Sequence, residues 1–211
     1  VMAAAFVFLS VGRVWAGPPF FTDDPEPVEY RHWEAYIATQ WSHDRGAGTE
    51  GTLPHFEGNF GAAPDLQLHL IVPMVYSAPH ESSAQYGPGD LEVGFKYRFL
   101  HEDEKGWRPQ VGIFPLVELP TGDTSRGLGE GRINIFIPLW LQKSWGPWTT
   151  YGGGGYWHHP GEDNKDYWFA GWLLQRDFSE KLTLGGEVFN TSPKAKGASD
   201  ETGFNVGGIL N

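Results

Sequence analysis

The sequence predicts an all-β fold, an antiparallel up-and-down β-barrel that spans a membrane with about ten strands. Three observations predict it: segments with two-residue alternation, connections that alternate in length, and aromatic residues near strand ends. Residues 91–99 place Leu, Val, Phe, Tyr and Phe on one face, and residues 133–141 place three Ile and two Leu on one face. Side chains alternate across a strand, so each segment has one apolar and one polar face. Each stripe matches the roughly 9–11 residues with which a tilted strand crosses a bilayer.

Ten strands are predicted from this alternation and from the turn residues between the segments. They cover residues 31–42, 52–61, 64–76, 89–100, 107–119, 131–143, 147–158, 166–177, 180–190 and 202–210. Predicted connections are long at residues 42–51, 77–88, 120–130, 159–165 and 191–201, and short at residues 62–64, 101–106, 144–146 and 177–179. Long external loops and short periplasmic turns are typical of outer-membrane barrels. A soluble sandwich would have a similar number of strands but no reason to alternate loop length.

Aromatic residues lie near many of the predicted strand ends. They are Trp33, Trp41, Tyr76, Phe99, Trp107, Trp145, Trp148, Tyr156, Trp157, Tyr167 and Trp168. Amphipathic rings prefer the headgroup level of a membrane, so this placement favours two aromatic girdles. In the alternative, a soluble sandwich, aromatic residues would sit in mid-strand and form the core.

Composition bounds the class of protein. The 211 residues show no composition break that would indicate two domains, and they contain no cysteine, which excludes disulfides and thiolate chemistry. The net charge of −11 argues against a nucleic-acid partner. The mean hydropathy is negative, which is compatible with a membrane barrel because only alternate strand residues contact lipid.

The first residues are typical of a secretory signal. Residues 1–16 form an apolar stretch that ends in Val14-Trp15-Ala16, so we expect signal peptidase to cleave before Gly17. No positively charged start precedes the apolar stretch, and the signal peptide is therefore expected to be truncated. A buried helix is the alternative. Residues 17–30 are Pro-rich and acidic, and are predicted to be extended or loop-like. Residues 17–211 would then form a single barrel domain.

If the apolar faces contact lipid, the opposite faces line the barrel lumen. The candidate lumen-lining residues are Glu34, Gln67, His69, Glu92, Lys96, Arg98, Glu118, Arg132, Asn134 and Glu187, accompanied by Tyr36, Gln40 and Gln110. Two interpretations stay open: a salt-bridged, hydrogen-bonded filling that holds a narrow barrel together, or a polar constriction that orients a permeating solute. Phe114, Phe136 and Trp140 share the same face and would suit an apolar or aromatic solute.

No motif predicts catalysis, a cofactor or a metal site. His158 and His159 are adjacent on a predicted strand and point to opposite faces, so they do not readily share one metal ion. Ser125 has no nearby His and Asp in a recognisable order. The glycine-rich residues 127–131 are not followed by a helix, which argues against a phosphate-binding loop. Residues 152–155, four consecutive glycines, are expected to thin a strand at a bend or beside a close side chain.

Four segments resemble a known family. They are FGAAPDLQLHLIVPMVY (60–76), YGPGDLEVGFKYRFLHE (86–102), PQVGIFPLVELPTGD (109–123) and GEVFNTSPKAKGASDETGFNVGGIL (186–210). They are similar to the outer-membrane transporter family named for the MetA pathway of phenol degradation. The resemblance implies a barrel without established catalytic residues. Family members continue beyond the strand that matches residues 202–210, so the resemblance implies about twelve strands when complete and a chain that is incomplete at its C-terminus.

These observations together predict a protein of the outer membrane of a Gram-negative bacterium. We expect a channel or transporter for passive uptake or efflux of small organic, including aromatic, molecules, and not an enzyme. Its partners would be outer-membrane lipid, the solute and the machinery that inserts outer-membrane proteins. Two alternatives stay open: an outer-membrane lipid-modifying enzyme, and a soluble binding barrel of lipocalin type whose apolar faces point inward.

Overall fold

The fold is one antiparallel sheet in meander order. A computed structural model of the chain describes residues 20–80, 82–103 and 105–210, and the signal peptide predicted over residues 1–16 lies outside these ranges. The strands in the described ranges are β1 (Trp33–Asp44), β2 (Gly48–Ala63), β3 (Leu66–Pro79), β4 (Gln85–Pro88), β5 (Leu91–Leu100), β6 (Gln110–Ile113), β7 (Leu116–Leu119), β8 (Asn134–Trp145), β9 (Trp148–His158), β10 (Tyr167–Ser179), β11 (Leu182–Thr191) and β12 (Glu201–Leu210). A single 3₁₀ turn in these ranges, Thr124–Arg126, interrupts the β7–β8 connection.

The ten predicted strands are found, and the one predicted over residues 107–119 is interrupted. The connection predicted to be a long loop at residues 77–88 instead contains an additional short strand, β4. β4 and β5 both pair with β3 and form one line, broken at Gly89, whose N–H donates to the Pro73 carbonyl oxygen at 2.9 Å. β6 and β7 likewise pair with β5 and β8 on one line, broken at Phe114 and Pro115. Proline has no N–H to donate to a ladder, which accounts for the second break.

The predicted alternation of loop length is only partly confirmed. The connection predicted to be long at residues 42–51 is a tight hairpin, because β1 continues to Asp44 and β2 already begins at Gly48. The Asp44 carboxylate closes this turn by accepting hydrogen bonds from the N–H groups of Gly46 and Ala47, at 2.7 and 2.9 Å. The turn predicted to be short at residues 101–106 is instead a longer connection between β5 and β6.

The two faces of the sheet differ in polarity, as the alternation predicts. The outward face exposes large apolar side chains: Trp33, Ile37, Trp41, Phe56, Leu68, Leu70, Val72, Phe95, Tyr97, Phe99, Ile133, Ile137, Leu139, Trp145, Trp168, Trp172, Leu174, Leu184, Val188, Phe204 and Val206. The other face buries polar side chains: His55, Asn59, Gln67, His69, Lys96, Gln110, Asn134, Gln142, Thr149, Glu187 and Thr191. Over the described ranges, none of the helical segments has the length and hydrophobicity needed to cross a bilayer.

The sheet curves so that its polar face surrounds one interior. Its two edges, β1 and β12, both contribute to the same cavity, with Glu34 and Tyr36 on one side and Gly203 and Asn205 on the other. Within the described residues, β1 is paired only with β2 and β12 only with β11. The four glycines of residues 152–155 lie in β9, and the ring of Trp172 covers Gly152 so closely that a Cβ there would approach it to 2.5 Å. A close side chain, one of the two reasons expected from the sequence, is therefore found at Gly152, whereas Gly153, Gly154 and Gly155 lie against the backbone of the neighbouring strands.

Candidate functional site

The candidate site is a cavity of about 1770 Å³ on the inner face of the sheet. Its lining extends along the strands from Thr52 and Pro73, near the ends that carry most of the long loops, to His32 and Pro64 at the opposite ends. The cavity therefore follows the length of the strands rather than forming a pit at one end.

The predicted lumen residues are mostly found at this cavity. Those that line it are Glu34, Gln67, His69, Glu92, Lys96, Arg98 and Glu118. Asn134 and Glu187 are buried on the same face, each only 3 % exposed. Arg132 lies elsewhere: it precedes β8, is exposed, and its guanidinium donates to the Pro160 carbonyl oxygen at 3.3 Å. The prediction for Arg132 fails because the strand begins at Asn134, three residues later than expected, so the alternation does not extend to this position.

The inward side chains of β1 to β5 form a polar wall. It consists of Glu34, Tyr36, His55, Glu57, Asn59, Gln67, His69, Glu92, Lys96 and Arg98. His69 is at the centre of a hydrogen-bonded group, with Nε2 2.9 Å from the Glu92 carboxylate and Nδ1 2.7 Å from the Asn59 amide oxygen. The Gln67 amide donates to the same oxygen of Asn59 at 2.8 Å. These bonds hold the wall's side chains in fixed positions along the cavity.

The inward side chains of β8 to β11 form an aromatic wall, made of Phe136, Trp157, Tyr167, Phe169 and Phe189. Phe136 stacks on Trp157 with ring centroids 4.7 Å apart, and Trp157 stacks on Tyr167 at 5.8 Å. Stacked and edge-to-face rings at these separations attract one another beyond the effect of burial. Phe114, Phe136 and Trp140, which the sequence placed on one face, do form a buried cluster, and Phe114 and Phe136 also line the cavity.

Two of the aromatic residues assigned to girdles belong instead to this wall. Trp157 and Tyr167 line the cavity, whereas their chain neighbours Tyr156 and Trp168 are exposed on the outward face. Because adjacent strand residues point to opposite faces, only one member of each aromatic pair can face outward. The sequence pattern alone did not separate the two members, since both are aromatic.

Residues 20–30, here called the inner segment, cross the interior ahead of β1. The Glu187 carboxylate on β11 accepts hydrogen bonds from the N–H groups of Phe21 and Thr22, each at 2.8 Å. At the other side, the Val28 N–H donates to the Gln67 side-chain oxygen on β3 at 2.9 Å. The segment thus bridges strands on opposite sides of the interior and buries its residues 22–28 wholly or in large part.

Ion pairs with β5 hold the acidic part of the inner segment. The buried Lys96 ammonium lies 3.0 Å from the Asp23 carboxylate and 3.8 Å from the Asp24 carboxylate. Arg98 approaches Glu26 at 3.6 Å. Burial raises the pKa of Asp24 to about 7, against the opposing effect of the Lys96 charge. Lys96 and Arg98, two of the three cations that the sequence assigned to the lumen, therefore face carboxylates of the inner segment.

Inward-facing glycines leave the space that the inner segment occupies. A Cβ added at Gly171 on β10 would overlap the Thr22 hydroxyl, and one at Gly112 on β6 would lie 3.1 Å from the Pro25 Cβ. The sequence predicted an extended stretch here but not its position inside the sheet. The acidic and Pro-rich composition of residues 20–30, facing two inward cations, is the only signal that could have indicated it.

His159 and Ser125, weighed from the sequence as metal and catalytic candidates, form hydrogen bonds that hold loops in place. The Asp166 carboxylate accepts hydrogen bonds from the Tyr156 hydroxyl at 2.6 Å and from the His159 N–H at 2.7 Å, and these lower its pKa to about 2. Ser125 donates its hydroxyl to the Asp123 carboxylate at 2.6 Å and forms part of the 3₁₀ turn. Across the described ranges, no group of three or more His, Cys, Asp or Glu side chains could hold a metal ion.

Comparison with known proteins adds no identification. No model of a known protein family matches the chain, and no curated protein matches it.

Proposed function

We propose that the chain forms an outer-membrane β-barrel that passes or binds small organic molecules without energy coupling. The observation that carries this proposal is the inverted polarity of the sheet: the exposed face is apolar, and the polar side chains of the strands are buried on the other face beside the aromatic wall. Soluble proteins bury apolar side chains and rarely expose a contiguous apolar patch larger than a few hundred Å². A lipid environment makes the same arrangement favourable, because the apolar face then contacts acyl chains.

The spacing of exposed tryptophans supports the membrane placement. Trp33 and Trp41 both face outward at the two ends of β1, 72 % and 43 % exposed. Eight residues of extended strand span roughly 26 Å before tilt is considered. The apolar band of outer-membrane barrels is about 25 Å tall and has aromatic girdles at both edges. Trp168 on β10 and Trp145 on β8 are also exposed and would belong to the same two girdles.

The proposed mechanism is passive diffusion through a two-sided cavity. A solute would move between the polar wall and the aromatic wall, and the inner segment would narrow the passage beside it. Joining the edges β1 and β12, to each other or through further strands, would complete the barrel and remove unpaired strand edges from the lipid.

The alternatives have less support. A lipocalin-type barrel requires apolar faces that point inward, whereas Leu70, Ile137 and Leu139 are exposed. A lipid hydrolase requires an activated nucleophile, and the Ser125 hydroxyl is directed to Asp123 in a turn.

A charged substitution on the outward face tests the membrane assignment directly. Leu139→Arg places a cation near the middle of β8, where Leu139 is 47 % exposed. At the midplane of a bilayer such a change destabilises a barrel by about 2–4 kcal/mol, whereas an exposed site in water tolerates it within about 0.5 kcal/mol. Ala198→Arg, in the exposed β11–β12 connection, serves as the control. Folding into lipid vesicles with equal stability for both variants would contradict the proposal.

Solute movement is tested separately. Vesicles that contain the refolded chain should swell in arabinose faster than empty vesicles, while a large oligosaccharide should stay excluded. Heat-modifiable migration of the detergent-refolded chain should accompany this activity. A folded, heat-modifiable chain that gives no solute-dependent swelling would retain the barrel and refute the channel.

A further inference from the structure

We infer that the cavity selects organic cations that carry an aromatic group, which bind between the aromatic wall and the paired carboxylates of Glu92 and Glu118. This inference deepens the proposed function and rests on it, because it names the class of solute that the same cavity would take.

The charge of the lining is the first observation. The cavity is lined by nine carboxylates, among them Glu92 and Glu118, and by three Lys or Arg side chains, Lys96, Arg98 and Lys194. Two of the cations are already engaged: Lys96 with Asp23, and Arg98 with Asp65, both at 3.0 Å. A low-dielectric wall that carries an excess of one charge concentrates solutes of the opposite charge.

The placement of two carboxylates is the second observation. Glu92 on β5 and Glu118 on β7 are direct cross-strand partners, so they face the cavity side by side. Like charges in this arrangement repel and destabilise a sheet. Glu92 is bonded to His69 and Glu118 accepts a bond from the Asn134 amide at 2.8 Å. Within the described ranges, neither carboxylate has a Lys or Arg partner within 4.0 Å, so a bound cation would relieve their repulsion.

The aromatic wall begins beside this carboxylate pair, on the neighbouring strands β8 and β9. Leu116, two residues before Glu118, pairs with Phe136, and Phe136 pairs with Trp157. The carboxylate pair and the ring faces therefore border one region of the cavity. Ring faces attract cations, and quaternary ammonium groups are held by such aromatic sites.

The structure already shows cations on two rings that line the cavity, Tyr167 of the aromatic wall and Phe114 beside it. The Lys194 ammonium lies 5.5 Å from the centre of the Tyr167 ring, and the Lys96 ammonium lies 5.0 Å from that of Phe114. The cavity, at about 1770 Å³, is larger than the roughly 300–1,000 Å³ of a typical small-molecule pocket. It can therefore admit a hydrated aromatic cation without reorganisation of the wall.

The test compares permanently charged probes that lipid does not pass. Vesicles containing the full chain are assayed for uptake of benzyltrimethylammonium, benzenesulfonate, tetramethylammonium and uncharged arabinose. We expect benzyltrimethylammonium to enter roughly tenfold faster than benzenesulfonate, the ratio for about 1.4 kcal/mol of Coulomb attraction near partly hydrated charges. It should also enter faster than tetramethylammonium, which lacks the ring.

The variants separate the two parts of the site. Glu92→Gln with Glu118→Gln should remove most of the preference for cation over anion, and Trp157→Leu should reduce the advantage of benzyltrimethylammonium over tetramethylammonium. Asp200→Asn with Glu162→Gln removes the same charge from exposed loops and should leave both ratios unchanged. Heat-modifiable migration checks that each variant is folded, and the single change Glu92→Gln replaces the double variant if that fails to fold.

The outcomes distinguish the inference from the function on which it rests. If arabinose enters and the two charged aromatic probes enter equally, or the sulfonate enters faster, the inference is overturned and the channel stands. If no probe and no arabinose enters above the rate of empty vesicles, the proposed function itself fails. If the control variant lowers the cation preference as much as the double variant, general surface charge explains the selectivity and the proposed site is refuted.

Discussion

The strands that carry the polar wall, β1 to β5, and those that carry the aromatic wall, β8 to β11, are alike in the polarity of their outward side chains. They differ in the chemistry of their inward side chains. Outside, both expose apolar side chains such as Leu70 and Trp172. Inside, the polar wall presents His69 and its hydrogen-bonded neighbours, and the aromatic wall presents the stacked rings of Phe136 and Trp157. The outward side chains are apolar on both groups of strands. The inward side chains differ because some of them bind the inner segment and one another through hydrogen bonds and ion pairs, whereas others stack as rings. Residues that determine the function are therefore expected among the inward side chains, where the two groups of strands differ.

The largest effect is expected from a substitution of Lys96 in the polar wall. Lys96→Met leaves the Asp23 and Asp24 carboxylates without their ammonium partner, and Asp24 is only 2 % exposed. Removal of one member of a buried ion pair costs about 3–5 kcal/mol. We expect the inner segment to leave its site, which limited proteolysis within residues 20–30 would detect. Lys181→Met, at an exposed turn, is the control, and Asp23→Asn combined with Asp24→Asn should restore protection to the Lys96→Met variant.

The next largest loss of stability is expected at Gly171, where the inner segment contacts β10. Gly171→Ala introduces a Cβ where the Thr22 hydroxyl lies, so the segment or the strand must move. Overpacking of this kind costs about 1–3 kcal/mol. Gly58→Ala is the matched control, because a Cβ at Gly58 meets nothing within 4 Å. Thermal unfolding in detergent compares the two variants, and equal midpoints would show that the inner segment does not press on β10.

A smaller effect sharpens the description of the aromatic wall. Phe136→Leu removes the ring that stacks on Trp157 at an interplanar angle of 9°. Loss of such a pair costs about 0.5–1.5 kcal/mol beyond the loss of buried area. The summed fluorescence of the ten tryptophans, Trp157 among them, should change in intensity and wavelength in Phe136→Leu, whereas Phe99→Leu, on the outward face, should leave it unchanged. The same spectrum for both variants would argue that the rings do not stack in solution.

The smallest effect lies in the β9–β10 loop, outside both walls. Hydrogen bonds from the Tyr156 hydroxyl and the His159 N–H hold the pKa of Asp166 at about 2, below its ordinary value of 3.8. A carboxyl group with a lowered pKa stabilises the folded loop above its unfolded pKa. This contribution is lost as the pH falls from about 4 towards 2. Hydrogen exchange of residues 159–165 should be faster in Asp166→Asn than in the wild type at pH 6, and the difference should shrink below pH 3. A pH-independent difference would contradict this account.

The strands and their outward faces could be predicted from the sequence because both depend on local properties. Two-residue alternation fixes which side chains share a face, and it placed residues such as Glu92, Lys96 and Glu118 correctly. It failed at Arg132 because the strand starts at Asn134, and alternation has no meaning outside a strand. The assignment of Trp157 and Tyr167 to girdles was wrong, since aromatic residues suit either face of a strand near its end.

The inner segment could not be predicted because its contacts are between residues that are far apart in the chain. The Thr22 N–H meets Glu187 across a separation of 165 residues, and the Val28 N–H meets Gln67 across 39. A carboxylate that accepts backbone N–H groups carries no sequence pattern that a local reading detects. The room left by Gly171 and Gly112 has meaning only once the opposite chain is known.

The position of the inner segment has a consequence for the order of folding. Its binding groups, Gln67, Lys96, Gln110 and Glu187, come from β3, β5, β6 and β11, so its site exists only when nearly the whole sheet has formed. Closing contacts over such separations is slow, because the chain entropy is lost before the contacts form. The first described part of the chain is therefore the last to reach its native place. Its protection from protease measures, in a time course of refolding, the moment at which the sheet is complete.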